Sequence, residues 1–283
     1  MSGKGSYSLP TSSRDAQAEL ERLASQATVG WSRESRTLSW FGLKDGMSVL
    51  EAGSGPGFIT EQLLNFVPNS PVTCLEIDPI LLDQAEQYLR SKADGFVQFP
   101  LQFIEGSITN SGLESDQFDI VYARFLFQHI TDPASAAAEA LRVLKPGGKL
   151  VICDIDDALF GVFEPPIAEF TPVLEAFGQA QAARGGDRNI GRKLSGILQS
   201  TGFCNIDLEV IGSHSASRGL ESYLQHLNPD RMQSLVDNRF LTSEELDNYR
   251  TALNNWVALP NAYTLWISLM IGAEKPAASG KEA

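Results

Sequence analysis

The stretch Val49–Thr60, "VLEAGSGPGFIT", joins a short apolar run to a helical pattern through three glycines. Gly53, Gly55 and Gly57 follow the spacing G-x-G-x-G. Glycine adopts positive φ angles and lets a ligand approach bare backbone, and the helix that follows offers its first amides. The stretch therefore predicts a strand, a ligand-binding turn and a helix.

Strands and helices alternate regularly beyond this turn. Strand patterns occupy residues 47–52, 71–77, 101–106, 118–123 and 147–155, and helical patterns occupy residues 57–67, 79–90 and 133–144. Strands that are apolar on both faces and alternate with helices are typical of a mostly parallel sheet covered on both sides. We therefore predict an α/β fold with a doubly wound sheet. Two later strands are predicted at residues 205–212 and 263–276, and the last is long enough to be inserted beside its neighbour.

The same pattern divides the chain into an N-terminal cap and one main domain. Residues 1–37 are expected to form an N-terminal tail and helices, including an amphipathic helix over residues 12–28. The main domain is predicted at residues 38–283. Two long segments interrupt the alternation. One lies at about residues 156–191, which we expect to be irregular, and the other lies at residues 215–258. We expect these two insertions to form a lid and to contact the substrate, since such variable segments commonly carry function.

The net charge of the chain restricts the kinds of macromolecule that it is expected to bind. The 283 residues contain 22 Lys and Arg against 35 Asp and Glu, a net charge of −13 with the histidines neutral. Such a surface repels phosphate backbones unless a local basic patch overrides it, and the sequence shows no such patch. We therefore predict no nucleic-acid partner.

Cysteine use and hydropathy suggest the compartment. Cys74, Cys153 and Cys204 lie far apart and form no CxxC pair, which is typical of core thiols in a reducing compartment. No apolar run approaches the length of a membrane span, and the start lacks the layout of a signal peptide. A cytoplasmic protein without a membrane span is expected.

Three acids help to choose among ligands for the glycine turn. Such turns hold dinucleotides, nucleotide phosphates and S-adenosylmethionine alike, but the dinucleotide fingerprint places its third glycine three residues after the second. Glu51 adds a carboxylate that suits an ammonium group better than a pyrophosphate. Glu76 lies 19 residues beyond Gly57, near the offset of about 20 at which an acid binds ribose hydroxyls. Asp78 is the alternative residue for binding the ribose hydroxyls, and we favour Glu76.

Five motifs in order resemble one known family. They are "VLEAGSGPG" (49–57), "LEIDP" (75–79), "IEGSIT" (104–109), "FDIVYARFLFQHITDP" (118–133) and "LRVLKPGGKLVICD" (141–154). Together they resemble the class I S-adenosylmethionine-dependent methyltransferases, in particular the branch around ubiquinone/menaquinone biosynthesis methyltransferases and their small-molecule relatives. Each motif is weak alone, but the ordered set is specific.

The resemblance implies a seven-stranded Rossmann-like sheet with an antiparallel last strand and S-adenosyl-L-methionine as cofactor. It implies that Glu51 and Gly53 hold the methionine end, Glu76 the ribose, and Ile77 with residues 106–108 the adenine. The full set of cofactor-binding residues expected is Glu51, Gly53, Ser54, Gly55, Gly57, Glu76, Ile77, Gly106, Ser107, Ile108, Tyr122 and Ala123. Tyr122 and Ala123 would line the sulfonium region. Relatives often have an aspartate where Ser107 stands, so the contact to the adenine amino group departs from the family.

Two residues of the fourth motif are candidates for catalysis. His129 is a candidate general base, or it ties a loop. Arg124 is a candidate clamp for an anionic substrate, or it pairs with an acid such as Asp154. Both alternatives stay open for each residue.

The later insertions offer further candidates. Arg184, Arg188 and Asn189 either contact the substrate or form a turn into a helix. His214 and His226 have no cysteine or acid at ligand spacing, so no metal site is predicted.

The sequence predicts an enzyme that transfers the cofactor methyl group to an O, N, S or C nucleophile of a small molecule, a secondary metabolite in our leading hypothesis. "YARF" differs from the Asn/Asp-Pro-Pro-aromatic motif of enzymes that methylate nucleic-acid bases or protein glutamine. A quinone C-methyltransferase and a non-methylating cyclase or binding protein stay open as alternatives. A nicotinamide-dependent oxidoreductase is disfavoured by the glycine spacing and Glu51. The N-terminal helix is expected to cap its own pocket or a neighbour's, so a homodimer is also open.

Overall fold

An eight-stranded sheet forms the centre of the protein in a computed structural model that describes residues 13–92 and 100–277. The strands are β1 Val49–Ala52, β2 Val72–Glu76, β3 Leu101–Glu105, β4 Phe118–Arg124, β5 Leu144–Asp154, β6 Val162–Glu164, β7 Cys204–His214 and β8 Tyr263–Glu274. The helices are α1 Ser13–Val29, α2 Trp31–Trp40, α3 Phe58–Phe66, α4 Pro79–Ser91, α5 Pro133–Val143, α6 Phe170–Ala182, α7 Gly191–Thr201, α8 Ser215–Arg218, α9 Glu221–Leu227, α10 Gln233–Asp237 and α11 Ser243–Val257.

The parallel part of the sheet has the order β3-β2-β1-β4-β5. β1 pairs with β2 on one side and with β4 on the other, so Glu51 is level with Cys74 and Tyr122. The strand order therefore reverses direction at β1. In open parallel sheets the crevice outside the carboxyl ends of the strands at such a point is where ligands bind.

The far side of the sheet differs from the prediction by one strand. β8 lies between β5 and β7 and is antiparallel to both, as predicted for an inserted last strand. β6 is an additional short strand, which pairs with the start of β8 through Val162 and Leu265. The segment 156–191, predicted to be irregular, thus contains both β6 and the 13-residue helix α6. Sequence periodicity missed them because β6 spans only three residues and a pair of prolines interrupts the pattern before α6.

Two apolar cores cover the two faces of the sheet. On one face, Leu50 and Ala52 of β1 lie in a cluster with residues of α5 and α7. On the other face, Val49 and Tyr122 lie in a cluster with residues of α2, α3 and α4. Burial on both faces explains why the parallel strands are continuous apolar runs, and it confirms the predicted doubly wound arrangement.

A third apolar cluster lies away from the sheet. It joins α6 to α10 and α11 through side chains such as Val173, Leu235 and Tyr249. We call α6 together with α8–α11 the helical cap. A capping box starts α11, because Thr242 Oγ1 accepts from the amide of Glu245 and the Glu245 carboxylate accepts from the amide of Thr242. Within the described residues, no helix is both long and apolar enough to cross a membrane.

Gly272 makes a close contact between β8 and the segment that follows α2. A Cβ atom at this position would overlap the ring of Phe41, which is itself buried. We expect Gly272→Ala to lower the free energy of unfolding by about 2 to 3 kcal/mol, because a packed ring must move. Gly212 of β7 is the matched control, since its added Cβ would lie 3.6 Å from Leu265, an ordinary contact. Chemical denaturation measures both variants, and equal losses would contradict this account of Gly272.

Candidate functional site

A cavity of about 850 Å³ lies outside the carboxyl ends of β1, β2 and β4. The glycine turn, the end of β2 and the loop after β3 line one half, which we call the cofactor half. Residues of α1, of the segment after α6 and of the helical cap line the other half, which we call the acceptor half. The cavity thus lies at the point where the strand order reverses, and it is large enough for two small molecules.

The glycine turn faces this cavity with bare backbone. Gly53 and Gly55 have φ angles of 71° and 54°, a conformation that disfavours other residues. A Cβ added at Gly53 would lie 2.8 Å from Leu126, whereas one at Gly55 would meet no atom within 4 Å. Between them, the buried Oγ of Ser54 has no hydrogen-bond partner among the described residues. The turn therefore leaves open space and an unpaired polar atom for a ligand.

Gly57 plays a different part from the first two glycines. It is the N-cap of α3, with a φ of 84°, and a Cβ there would lie 3.1 Å from Cβ of Ala85 in α4. It does not belong to the set of residues that line the cavity. Gly57 therefore starts the helix and allows close contact between α3 and α4, which differs from the expected contact with the cofactor.

Glu76 ends β2 inside the cavity and is held by backbone amides. Its Oε2 accepts from the amide of Gly55 at 2.9 Å, and its Oε1 accepts from the amides of Ile77 at 2.9 Å and Asp78 at 3.0 Å. The side chain is 7% exposed, and burial raises its pKa above the usual value. A carboxylate fixed in this way can still accept hydrogen bonds from further donors, as the binding of a ribose diol requires.

Asp78 also borders the cavity but has another task. Its Oδ1 accepts from the amide of Ile80 at 2.9 Å and caps the N-terminus of α4. Of the two rival acids, Glu76 therefore has the side chain that is turned toward the glycine turn.

Glu51 lies beneath the turn in a fully enclosed position. Its Oε2 accepts from the hydroxyl of Thr60 at 2.6 Å, and the side chain is 3% exposed. Burial raises the pKa of Glu51 to about 8, with Thr60 and Arg124 acting in the opposite direction. A cation placed against this carboxyl would favour its ionised form.

The residues expected at the adenine are all cavity residues, and their contact with adenine stays a prediction. Ile77, Gly106, Ser107 and Ile108 all line the cofactor half of the cavity. Ser107 Oγ lies 2.8 Å from Oγ1 of Thr109 and also accepts from the Thr109 amide. Ser107 thus orders its own loop, whereas its contact to a ligand stays a prediction.

Tyr122 and Ala123 do not line the cavity, which corrects the expectation for the sulfonium region. Both side chains are 0% exposed and lie in the cores on opposite faces of the sheet. β4 is paired on both sides up to Ala123, and Arg124 pairs with β5 alone, so the cavity begins only where the strand ends. Arg124 and Phe125 line it instead, and Phe125 has a positive φ of 52°.

Arg124 is held by a buried ion pair with α2. Its Nε donates to Oε2 of Glu34 at 2.6 Å and its Nη2 to Oε1 at 2.9 Å, with side chains 8% and 1% exposed. The Tyr122 hydroxyl donates to the same carboxylate at 3.2 Å. Asp154, the partner expected from sequence, instead accepts from the amides of Gln128 and Ile155. Arg124 thus anchors the N-terminal helices to the end of β4.

His129 lies in a short 3₁₀ turn, Phe127–His129, and lines the cavity. Burial lowers the pKa of His129 to about 3, and the charges of Arg188, Arg184 and Arg22 add to the effect. An imidazole with this pKa is neutral and only weakly basic at neutral pH. The environment therefore favours the structural alternative, and a catalytic role for His129 stays a prediction.

Several cavity residues were not singled out from sequence. Arg22 and Gln26 of α1 and Arg231 of the 3₁₀ turn Pro229–Met232 belong to the lining of the acceptor half. His226, which we considered only as a metal ligand, packs its ring edge-on against Trp266 and also lines this half. Polar positions on amphipathic helices are normally solvated, so no sequence signal separates them from ordinary surface residues.

Comparison with known proteins agrees with this architecture. Residues 50–152 match a family model described as a methyltransferase domain. The chain is 28% identical over 158 residues to a malonyl-[acyl-carrier protein] O-methyltransferase of Paenibacillus sp. (strain JDR-2), covering 56% of this chain and 55% of that protein. It is 30% identical over 119 residues to the ubiquinone/menaquinone biosynthesis C-methyltransferase UbiE of Shewanella piezotolerans, covering 42% of this chain and 46% of that protein. The chain thus spans about half the length of these curated relatives.

Solved structures resemble this protein in fold over a larger part of the chain. Phosphoethanolamine N-methyltransferase 2 of Haemonchus contortus, in complex with phosphomonomethylethanolamine and S-adenosylhomocysteine, superposes with a TM-score of 0.56 at 20% identity. The match covers 87% of this chain and 53% of that chain. Fold and site thus define a Rossmann-like α/β protein. More particularly, residues 50–152 match a methyltransferase domain, in agreement with the resemblance seen in the sequence.

Proposed function

We propose that this protein binds S-adenosyl-L-methionine in the cofactor half and methylates a small molecule held in the acceptor half. The observation that carries the proposal is Glu76, whose carboxylate is fixed by three amides at the glycine turn, inside a cavity with room for a second molecule. The match of residues 50–152 to a methyltransferase domain supports the same cofactor.

The residues of the cofactor half suit each part of this ligand. Glu76 offers acceptors to the ribose hydroxyls, and Glu51 offers a carboxylate below the methionine ammonium. The unpaired Ser54 hydroxyl and the open backbone at Gly55 suit its polar end. Ile77 and Ile108 offer apolar surface to the adenine. The fit therefore uses an unpaired buried atom and an open glycine turn that the fold does not otherwise explain.

S-adenosylmethionine supplies a methyl group on a positively charged sulfur, which is already a strong electrophile. The protein's contribution is then to orient the acceptor and to keep water out. The helical cap and α1 enclose the acceptor half with apolar side chains such as Phe170 and Phe177. Because His129 is only weakly basic, positioning supplies most of the acceleration in this proposal.

The acceptor is proposed to be a small organic molecule, with a secondary metabolite as the leading candidate. The experiment is incubation of the purified protein with S-adenosylmethionine and panels of small acceptors, followed by measurement of S-adenosylhomocysteine and of the products. Accumulation of S-adenosylhomocysteine with a methylated product supports the proposal. Conversion of an acceptor without S-adenosylhomocysteine would replace it with a non-methylating role on the same fold.

Binding of the cofactor should depend on pH through Glu51. Because burial raises its pKa to about 8, most of this carboxyl is protonated at neutral pH and must release its proton to pair with an ammonium. Affinity should therefore rise from about pH 6 to about pH 8, by at most about tenfold per pH unit for one released proton. Calorimetry in buffers of different ionisation enthalpy measures both the affinity and the released proton. Glu51→Gln should remove most of the slope, and an unchanged slope in this variant would contradict the assignment.

A further inference from the structure

Four arginines converge on the acceptor half from three separate parts of the chain. Arg22 lies in α1, Arg184 and Arg188 follow α6, and Arg231 lies in the turn Pro229–Met232. All four line the cavity together with His129 and His226. In a chain whose net charge is −13, such a group at one site differs sharply from the surface as a whole.

The arginines lie close to the same two imidazoles. Burial lowers the pKa of His129, and the next causes are the charges of Arg188, Arg184 and Arg22. Burial also lowers the pKa of His226, followed by Arg22, Arg231 and Arg124. Arg22 and Arg231 also share the carboxylate of Glu19, and all four guanidinium groups line the same cavity, so we call them the arginine cluster.

The carboxylates around the arginine cluster do not balance it. Arg22 pairs with Glu19 at 2.8 Å and 2.5 Å, and Arg188 pairs with Asp157 at 2.5 Å and 2.9 Å. Arg231 lies 3.9 Å from the same Glu19. Arg184 has no ion pair within the described residues. Among the described residues, Arg184 is thus the member of this group whose guanidinium is not compensated by an ion pair.

Three other acids near the cluster are already engaged. Asp154, which is buried and feels the charge of Arg188, accepts from the amides of Gln128 and Ile155. Asp132 borders the cavity but accepts from the amide and hydroxyl of Ser135 as the N-cap of α5. Asp187 pairs with Lys193 on the surface. None of these carboxylates forms an ion pair with a guanidinium group of the cluster, so the charge of Arg184 stays without an ion-pair partner among the described residues.

The geometry leaves donors for an anion. Arg22 and Arg188 each use Nε and Nη2 for their carboxylates, which leaves Nη1 of each guanidinium for a further acceptor. The buried Nε2 of His226 has no hydrogen-bond partner among the described residues. Planar guanidinium groups with spare donors are the preferred partners of carboxylate and phosphate oxygens.

Apolar side chains lie beside the arginine cluster. Phe170 and Phe177 of α6 and Trp266 of β8 line the same half of the cavity. The guanidinium carbon of Arg188 lies 5.5 Å from the centroid of the Phe177 ring. The acceptor half therefore combines a cationic end with an aromatic wall.

We propose that the methyl acceptor is an oxyanion, a carboxylate or a phosphate, whose charge binds the arginine cluster while its apolar body contacts Phe170, Phe177 and Trp266. This inference rests on the proposed function, because it assigns the substrate class of the same cavity. It names the property, a carboxylate or phosphate group, for which candidate acceptors should be screened first.

The test uses three probes of similar size with the full chain. Benzoate and phenyl phosphate carry the two kinds of oxyanion, and benzamide is the neutral counterpart of benzoate. Binding is measured by calorimetry at low ionic strength with saturating S-adenosylhomocysteine. We expect at least one anion to bind about tenfold or more tightly than benzamide, and the preferred anion identifies the acceptor as a carboxylate or a phosphate.

Two variants distinguish binding by the arginine cluster from a general effect of the protein's charge. Arg184→Gln changes an exposed side chain and should weaken binding of the preferred anion about fivefold, with binding of benzamide unchanged. Arg90→Gln, on the exposed face of α4, is the matched control and should leave both unchanged. Equal affinity for the three probes, no binding of either anion, or equal effects of the two variants would overturn the proposal.

The titration with S-adenosylhomocysteine that precedes these measurements separates the two proposals. If S-adenosylhomocysteine does not bind, the proposed function fails, and anion preference is then measured in the free protein. If it binds but the anions show no preference, only the assignment of the acceptor fails.

Discussion

Glu76→Ala is expected to weaken binding of S-adenosylmethionine and S-adenosylhomocysteine by about a hundredfold. The carboxylate is the acceptor proposed for the ribose diol, and each hydrogen bond to a charged group contributes about 1.5 to 3 kcal/mol. Two such bonds correspond to a factor of about a hundred or more. The substitution also releases the three amides of Gly55, Ile77 and Asp78 that now hold the carboxylate. Calorimetric titration of the variant measures the loss.

Glu105→Ala is the matched control for Glu76. Glu105 occupies the equivalent register position on the neighbouring strand β3, but it is exposed and is not a cavity residue. This control should bind both ligands as the unaltered chain does. If Glu76→Ala retained full affinity, or if Glu105→Ala lost as much, the assignment of Glu76 to the ribose would be wrong.

Glu34→Ala is expected to lower the free energy of unfolding by about 3 to 5 kcal/mol. The substitution leaves the guanidinium of Arg124 buried without its carboxylate, and a buried charge that loses its partner is strongly destabilising. The Tyr122 hydroxyl loses its acceptor at the same time. Denaturant unfolding monitored by circular dichroism provides the measurement.

Two further variants test the cause of this loss. The double variant Glu34→Leu with Arg124→Met removes both charges together and should recover a large part of the stability, because no buried charge is left unpaired. Glu86→Ala breaks the exposed pair with Arg90 and should change stability by less than about 1 kcal/mol. A small loss for Glu34→Ala, or no recovery in the double variant, would contradict the role of the ion pair.

Much of the fold was predictable because its signals are local. The strands β1, β2, β4 and β5 are continuous apolar runs, which requires burial on both faces and hence a parallel sheet between helices. The length of the last strand pattern indicated an inserted strand, and β8 does lie between β5 and β7. The turn at Gly53 and the acid at Glu76 were predictable since their spacing reflects a fixed strand–turn–helix geometry.

Other features depend on contacts between distant segments, and sequence patterns carry no record of those. Glu34 and Arg124 are 90 residues apart, and nothing in either motif indicates that they meet. The arginine cluster is brought together only by the packing of α1 and the helical cap on the sheet. Tyr122 was assigned to the cavity from family resemblance, whereas the pairing of β4 on both sides encloses it in the core.

The most direct test of the central proposal is calorimetric titration of the full chain with S-adenosylmethionine, S-adenosylhomocysteine and a reduced nicotinamide dinucleotide. The account predicts micromolar binding of the first two at one site and no comparable binding of the third. Failure to bind either adenosyl ligand, or tighter binding of the dinucleotide, would contradict the assignment of the glycine turn to S-adenosylmethionine.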